Sequence, residues 1–161
     1  MNTHESGRSG HDKGPPYRGG CLCGAVRYEV GTVIDRASHC HCSMCRKAHG
    51  AAFATYATVP AEHFRITQGA DSLRSYVSSP GNTRTFCMHC GSPITWVSEH
   101  APDQGSVDVT LGTLETAVQV PQQWHIFVAS KAPWYVIDDG LPQWPQRRPR
   151  GTARPGTGEP S

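Results

Sequence analysis

Seven cysteines gathered into three tight groups constrain this chain more than any other feature of its 161 residues. The groups are Cys21-Leu22-Cys23, Cys40-His41-Cys42-Ser43-Met44-Cys45 and Cys87-Met88-His89-Cys90. An odd count and a pair only one residue apart argue against a disulfide framework, because such close thiols bridge only under strain. Two thiolates from one turn instead occupy neighbouring corners of a tetrahedron around zinc, about 2.3 Å from the metal. Gly24 and Gly91, directly after two of the groups, suit the sharp backbone turn of a zinc knuckle.

Seven ligands divide into four and three. Two pairs make one closed site, so Cys21 and Cys23 combine with Cys87 and Cys90, clipping the N-terminal region to a strand far along the chain. That zinc is read as structural. Cys40, Cys42 and Cys45 can hold a second zinc from one loop, with one corner left for water or substrate, which is the pattern of a catalytic site.

Short runs of alternating or β-rich residues fill the space between the cysteines. Strands are predicted at 25–30, 53–59, 64–67, 84–87, 94–97, 107–111 and 124–128, punctuated by glycines and prolines. At most one or two helical turns are expected, at 60–63 and 113–118. The fold class is mainly β, mainly antiparallel, with small sheets that need metal crosslinks to stay folded. Residues 1–18 are Gly-, Ser- and His-rich without an apolar signal segment and are read as a flexible leader. Residues 146–161 are Pro- and Arg-rich and are read as a disordered tail, which leaves 19–145 as one domain. No apolar run is long enough to span a membrane, so the expected location is the cytoplasm.

Charge speaks against nucleic acid as a partner. Residues 19–140 hold eight Lys/Arg against ten Asp/Glu, while the tail carries Arg147, Arg148, Arg150 and Arg154. Affinity for phosphate backbones rests on clustered cations, which the folded part lacks. The tail reads as solvated.

Four blocks carry a wider resemblance: GGCLCGAVRYEV, SHCHCSMCRKAHGAAF, FCMHCGSPI and HIFVASKAPWYVIDDGLPQW. In this order they resemble the family of glutathione-dependent formaldehyde-activating enzymes, whose domain is shared with a centromere-associated protein. The resemblance implies several small antiparallel sheets around zinc knuckles, similar to Mss4-like (β-tent) zinc proteins. It also implies a structural zinc at Cys21, Cys23, Cys87 and Cys90 and a catalytic zinc at Cys40, Cys42 and Cys45, the division already reached from spacing.

A site with three thiolates is a weaker Lewis acid than one with three histidines and better suited to a soft sulfur ligand. The expected activity is therefore a carbon–sulfur lyase that handles thiol–aldehyde adducts such as S-hydroxymethylglutathione, with a thiol such as glutathione as partner. Arg46 and Lys47 are candidate cations beside the triplet. His39, His41, His49 and His89 compete for acid/base or supporting roles, and His125 reads as a sheet histidine. Trp96, Trp124 and Trp134 read as core residues, with Trp134, which follows a proline, also able to wall a cleft. Two alternatives are a non-enzymatic zinc module, in which a histidine would close the second site, and a thiol redox protein using Cys87 and Cys90, whose usual βαβ setting is missing.

Overall fold

In a computed structural model, residues 14–101 and 104–149 are described. Ten strands and one short helix follow in the order β1 (Tyr17–Gly20), β2 (Arg27–Val30), β3 (Arg36–Cys40), α1 (Ser43–His49), β4 (Ala54–Pro60), β5 (Phe64–Gln68), β6 (Leu73–Ser79), β7 (Asn82–Cys87), β8 (Pro93–Ser98), β9 (Ser106–Thr110) and β10 (Gln122–Ile126). They form a three-stranded sheet in the order β1-β2-β5 and a seven-stranded sheet in the order β10-β3-β4-β9-β8-β7-β6. The mainly β class expected from the sequence is the class observed. Every strand pair is antiparallel except β10 with β3, which run parallel.

All seven predicted strands exist, with shifts of a few residues at their ends. Single-turn 3-10 helices stand at Ala61–His63 and Leu111–Thr113, the second a little before its expected position. The sequence reading missed β1, β3, β6 and α1. β1 also begins inside the stretch read as leader: Tyr17 is buried, and Gly19 packs where a Cβ would meet the Tyr28 ring at 2.4 Å. The rest of the leader, up to residue 13, lies outside the described residues.

Alternation gives the large sheet two different faces. Ala57 and Val59 on β4, with Val107 and Val109 on β9, turn to one side and pack with Tyr28 and Val30 of the small sheet and with Val26 just before it. Cys21 and Cys87 lie in that same core. Cross-strand partners Arg84, Trp96, Asp108 and Thr58 share the opposite face, one pair after another across β7, β8, β9 and β4. There a smaller cluster of Cys40, Cys45, Ala54 and Tyr56 is buried. The large sheet thus separates the main core from a second face with its own buried cluster.

Residues 142–146 lie beside β10, where the carbonyls of Pro142, Trp144 and Gln146 accept from the backbone N–H groups of His125, Val128 and Phe127. Backbone pairing therefore runs past the boundary expected at 145. Residues 150–161 of the expected tail lie outside the described residues. Among the described residues, no helix is long and apolar enough to cross a membrane.

Candidate metal centres

Two groups of cysteines come together, in the division read from spacing. The sulfurs of Cys21, Cys23, Cys87 and Cys90 all lie within 4.8 Å of one another. Cys21 Sγ is 3.5 Å from Cys23 Sγ, and Cys23 Sγ is 3.8 Å from Cys87 Sγ. Bond lengths of about 2.3 Å around a tetrahedral zinc place sulfurs about 3.8 Å apart, so the donor set fits that ion. The knuckle turns are also in place. Gly24 and Gly91 have φ of 79° and 75°, a left-handed backbone that glycine adopts without strain. Their N–H groups bond the carbonyls of Cys21 and Cys87 at 3.0 and 2.8 Å.

The sulfurs of Cys40, Cys42 and Cys45 also lie within 4.8 Å of one another. Cys40 ends β3, and Cys42 caps α1 by accepting the Cys45 N–H at 3.3 Å. One helical turn then returns Cys45 beside its cap. Gly50, with φ of 58°, stops the helix by donating to the Arg46 carbonyl. Among the described residues this group has three members, and no histidine completes it.

The three thiols cannot each carry a full charge in so small a space. Hydrogen bonds from Cys40 and Cys45 draw the charge onto Cys42, whose pKa falls to about 2. Donation to Cys42 pushes Cys40 up. All three sulfurs can be ionised together only beside a cation, and a metal dication supplies more positive charge than one side chain can.

The side chain that does approach is Arg84 of β7. Its Nη2 donates to Cys45 Sγ at 3.5 Å and its Nη1 to the Tyr56 hydroxyl at 3.0 Å. Tyr56 is also 2.8 Å from His49 Nε2. Burial, with the Arg84 charge adding to it, holds His49 down at about 4, so near neutrality its ring is uncharged. The Tyr56 hydroxyl, pushed up by burial, stays protonated, accepts from Arg84 and pairs with the His49 ring.

Arg46 and Lys47 do not take the place expected of them. Arg46 donates to the carbonyls of His41 and Ser130, both at 3.3 Å, and ties the metal loop to the loop after β10. Lys47 is exposed on α1. Sequence adjacency to the triplet pointed to these two. The cation on the sulfurs comes instead from 39 residues away, through strand pairing.

A cavity of about 170 Å³ opens over the triplet. From β10 to β7 its wall includes Ile126, Cys40, Tyr56, Asp108, Trp96 and Arg84. Trp96, read from sequence as core, lines this cavity, and Trp134, read as core or as a cleft wall, is 70% exposed.

The histidines separate cleanly. His41 is fully buried, with Nε2 at 2.8 Å from His125 Nδ1, and His125 Nε2 lies 2.9 Å from Asp139 Oδ2. Burial raises the Asp139 pKa, but the Leu141 N–H and His125 outweigh it, so this carboxylate only accepts. Facing a carboxylate, His125 therefore donates through Nε2. His41 Nδ1 is buried with no hydrogen-bond partner among the described residues. His125 is indeed a sheet histidine, on β10. His39 is taken up by Thr55 and Gln123 at 2.9 and 3.1 Å, and His89 by Ser72 at 3.2 Å.

Comparison with known proteins places these features in a wider group. The family model described as glutathione-dependent formaldehyde-activating enzyme matches residues 16–130. A Halomonas elongata protein provisionally named as such an enzyme is 29% identical over 133 residues, covering 74% of this chain and 80% of its own length. A Schizosaccharomyces pombe protein named as an uncharacterized lyase is 29% identical over 85 residues, 50% of this chain and 56% of that protein. The crystal structure of a Rhodobacter sphaeroides protein superposes with a TM-score of 0.55 at 27% identity, over 79% of this chain and 98% of its own.

Proposed function

The chain belongs to the family of glutathione-dependent formaldehyde-activating enzymes, and from that premise we propose that it is a carbon–sulfur lyase, dependent on zinc, acting on adducts of a thiol with an aldehyde. S-hydroxymethylglutathione is the type of adduct meant. The observation that carries the reading is the opening of a cavity directly over a group of three cysteine sulfurs with a guanidinium beside them.

In this reading Cys21, Cys23, Cys87 and Cys90 hold a structural zinc, and Cys40, Cys42 and Cys45 hold a catalytic one. The second zinc would supply an open coordination position for a soft thiolate, keeping it ionised near neutral pH. The chain's own groups do the rest. Arg84 uses two N–H groups on Cys45 and Tyr56 and keeps three more, which can donate to the aldehyde oxygen as negative charge develops there. Asp108, on the same cavity wall, can take the thiol proton and return it to that oxygen. The sulfur–carbon bond forms as the carbonyl π pair moves to oxygen, and the reverse sequence splits the adduct. Trp96 and Ile126 narrow the cavity, so that thiol and aldehyde are held together rather than meeting by diffusion.

A closed, non-enzymatic module needs a fourth protein ligand on the second group, and the described residues offer none. Metal analysis tests the assignment before any kinetics. Zinc-replete protein is expected to hold two ions per chain, and cobalt in the three-cysteine site should change its visible spectrum when glutathione is added. One ion per chain and a spectrum indifferent to thiols would leave the proposal without its site.

A further inference from the structure

The cavity over the three cysteines continues in two directions. Beyond Trp96 it meets a compartment bordered by Ser38, Thr58 and Ser98, where Arg147 and Arg148 stack on Trp96 and Trp124 at 5.9 and 4.5 Å, so that end is polar. At the other end it shares Met44, Ser78 and Arg84 with a groove of about 470 Å³. Met44 and Ala48 of α1, Tyr76 of β6, Phe86 of β7 and Pro93 of β8 make the wall of this groove mostly apolar, and Lys47 also borders it. Strand register explains the placement. Tyr76 is the cross-strand partner of Arg84, so it extends the row of Arg84, Trp96 and Asp108 to the edge of the large sheet, and Phe86 lies on the same face two residues on. Tyr76 and Met44 are 61% and 48% exposed, so the groove presents apolar surface to solvent.

We propose that this groove receives the apolar substituent of the aldehyde, so that the chain handles thiol adducts of alkyl or aryl aldehydes and not only of formaldehyde. This rests on the lyase reading of the adjoining cavity and names the class of aldehyde. The bond change is the one already described, and the substituent on the carbonyl carbon is carried through it unaltered. Arg84 borders both spaces, so a carbonyl oxygen at its spare N–H groups leaves the substituent on that carbon beside Met44 and Tyr76. A polar thiol has little reason to lie there, because its charged and amide groups would lose water without gaining partners. An alkyl chain or aromatic ring loses nothing of that kind. It gains burial against a tyrosine ring and a methionine, whose flexible side chain adapts to different shapes. Formaldehyde has no substituent and leaves the groove unused.

The test uses full-length, zinc-replete protein and two thioethers that carry neither a free thiol nor an aldehyde. S-benzylglutathione is the benzaldehyde adduct without its hydroxyl, and S-methylglutathione is the formaldehyde adduct without its own. Calorimetric titration is expected to show the benzyl compound bound at least about tenfold more tightly. In Tyr76→Ala, and in Ala48→Trp, which fills the groove from an exposed helix position, that ratio should fall close to one. Equal binding of the two compounds by wild type, or no binding of either, overturns the proposal. So does a ratio that either variant leaves unchanged, which would place the benzyl group elsewhere. A wild-type dimer in sedimentation that Tyr76→Ala breaks overturns it as well, because a second copy would then cover the groove. None of these results decides the lyase reading, which formaldehyde exchange judges by itself.

Discussion

Arg84 donates to Cys45 Sγ at 3.5 Å from the same strand that ends in Cys87, a member of the other cysteine group. β7 therefore serves both groups, Cys87 in the packed core between the sheets and Arg84 on the cavity side. Offsetting a thiolate and donating to a developing oxyanion both need a charged fork. Arg84→Gln is expected to lower the rate of adduct exchange by about 10- to 100-fold, the usual cost of a lost charged hydrogen bond. Arg84→Lys should recover part of it. A glutamine variant with the wild-type rate would remove Arg84 from the chemistry.

The two cysteine groups should respond differently to loss of a ligand. Cys87 is fully buried at the junction of both sheets, and the small core has little stability to spare. Cys87→Ser or Cys90→Ser is expected to abolish folding, as judged by circular dichroism. Cys42→Ser should leave a cooperatively folded protein that has lost only the second metal. Equal stability of the two kinds of variant would contradict the division into structural and catalytic sites.

Much of this arrangement was legible in the sequence because metal-ligand spacing is local. Cys21 with Cys23, and Cys87 with Cys90, announce knuckles through the glycines that follow them. The missed elements lack a local signal. β1 offers only Tyr17 and two glycines, and β3, with the sequence RASHC, is a strand because β10 pairs along it in parallel. β6 lies at an open edge, with Tyr76 and Val77 exposed, and so shows no buried stripe. Arg84 was invisible for a different reason. Its closeness to Cys45 follows from the register Arg84 to Trp96 to Asp108, which only the assembled sheet defines. Likewise Arg147 and Arg148 look like tail residues until residues 142–146 are seen beside β10.

Acid should weaken the fold partly through His49. Burial holds its pKa at about 4, below the ordinary 6.5 of an exposed histidine. The unfolded chain therefore binds more protons between those values, and stability is complete above the higher one and falls as pH drops toward the lower. Partial exposure limits this contribution to about 1 kcal/mol. Urea unfolding at pH 7.5 and pH 5 should show wild type losing that much more than His49→Gln. Equal losses would mean that His49 titrates alike in both states.

The most direct test of the central claim is the rate of adduct exchange between formaldehyde and glutathione, measured by NMR on zinc-replete protein. A three-cysteine site with an exchangeable fourth position, opening into a cavity, should speed the approach to equilibrium without moving the equilibrium itself. The acceleration should vanish in Cys42→Ser while the fold persists. Protein that holds two zinc ions, accelerates neither this pair nor bulkier aldehydes and other thiols, and shows no thiol effect at the second metal would contradict the lyase assignment and favour a non-enzymatic zinc module.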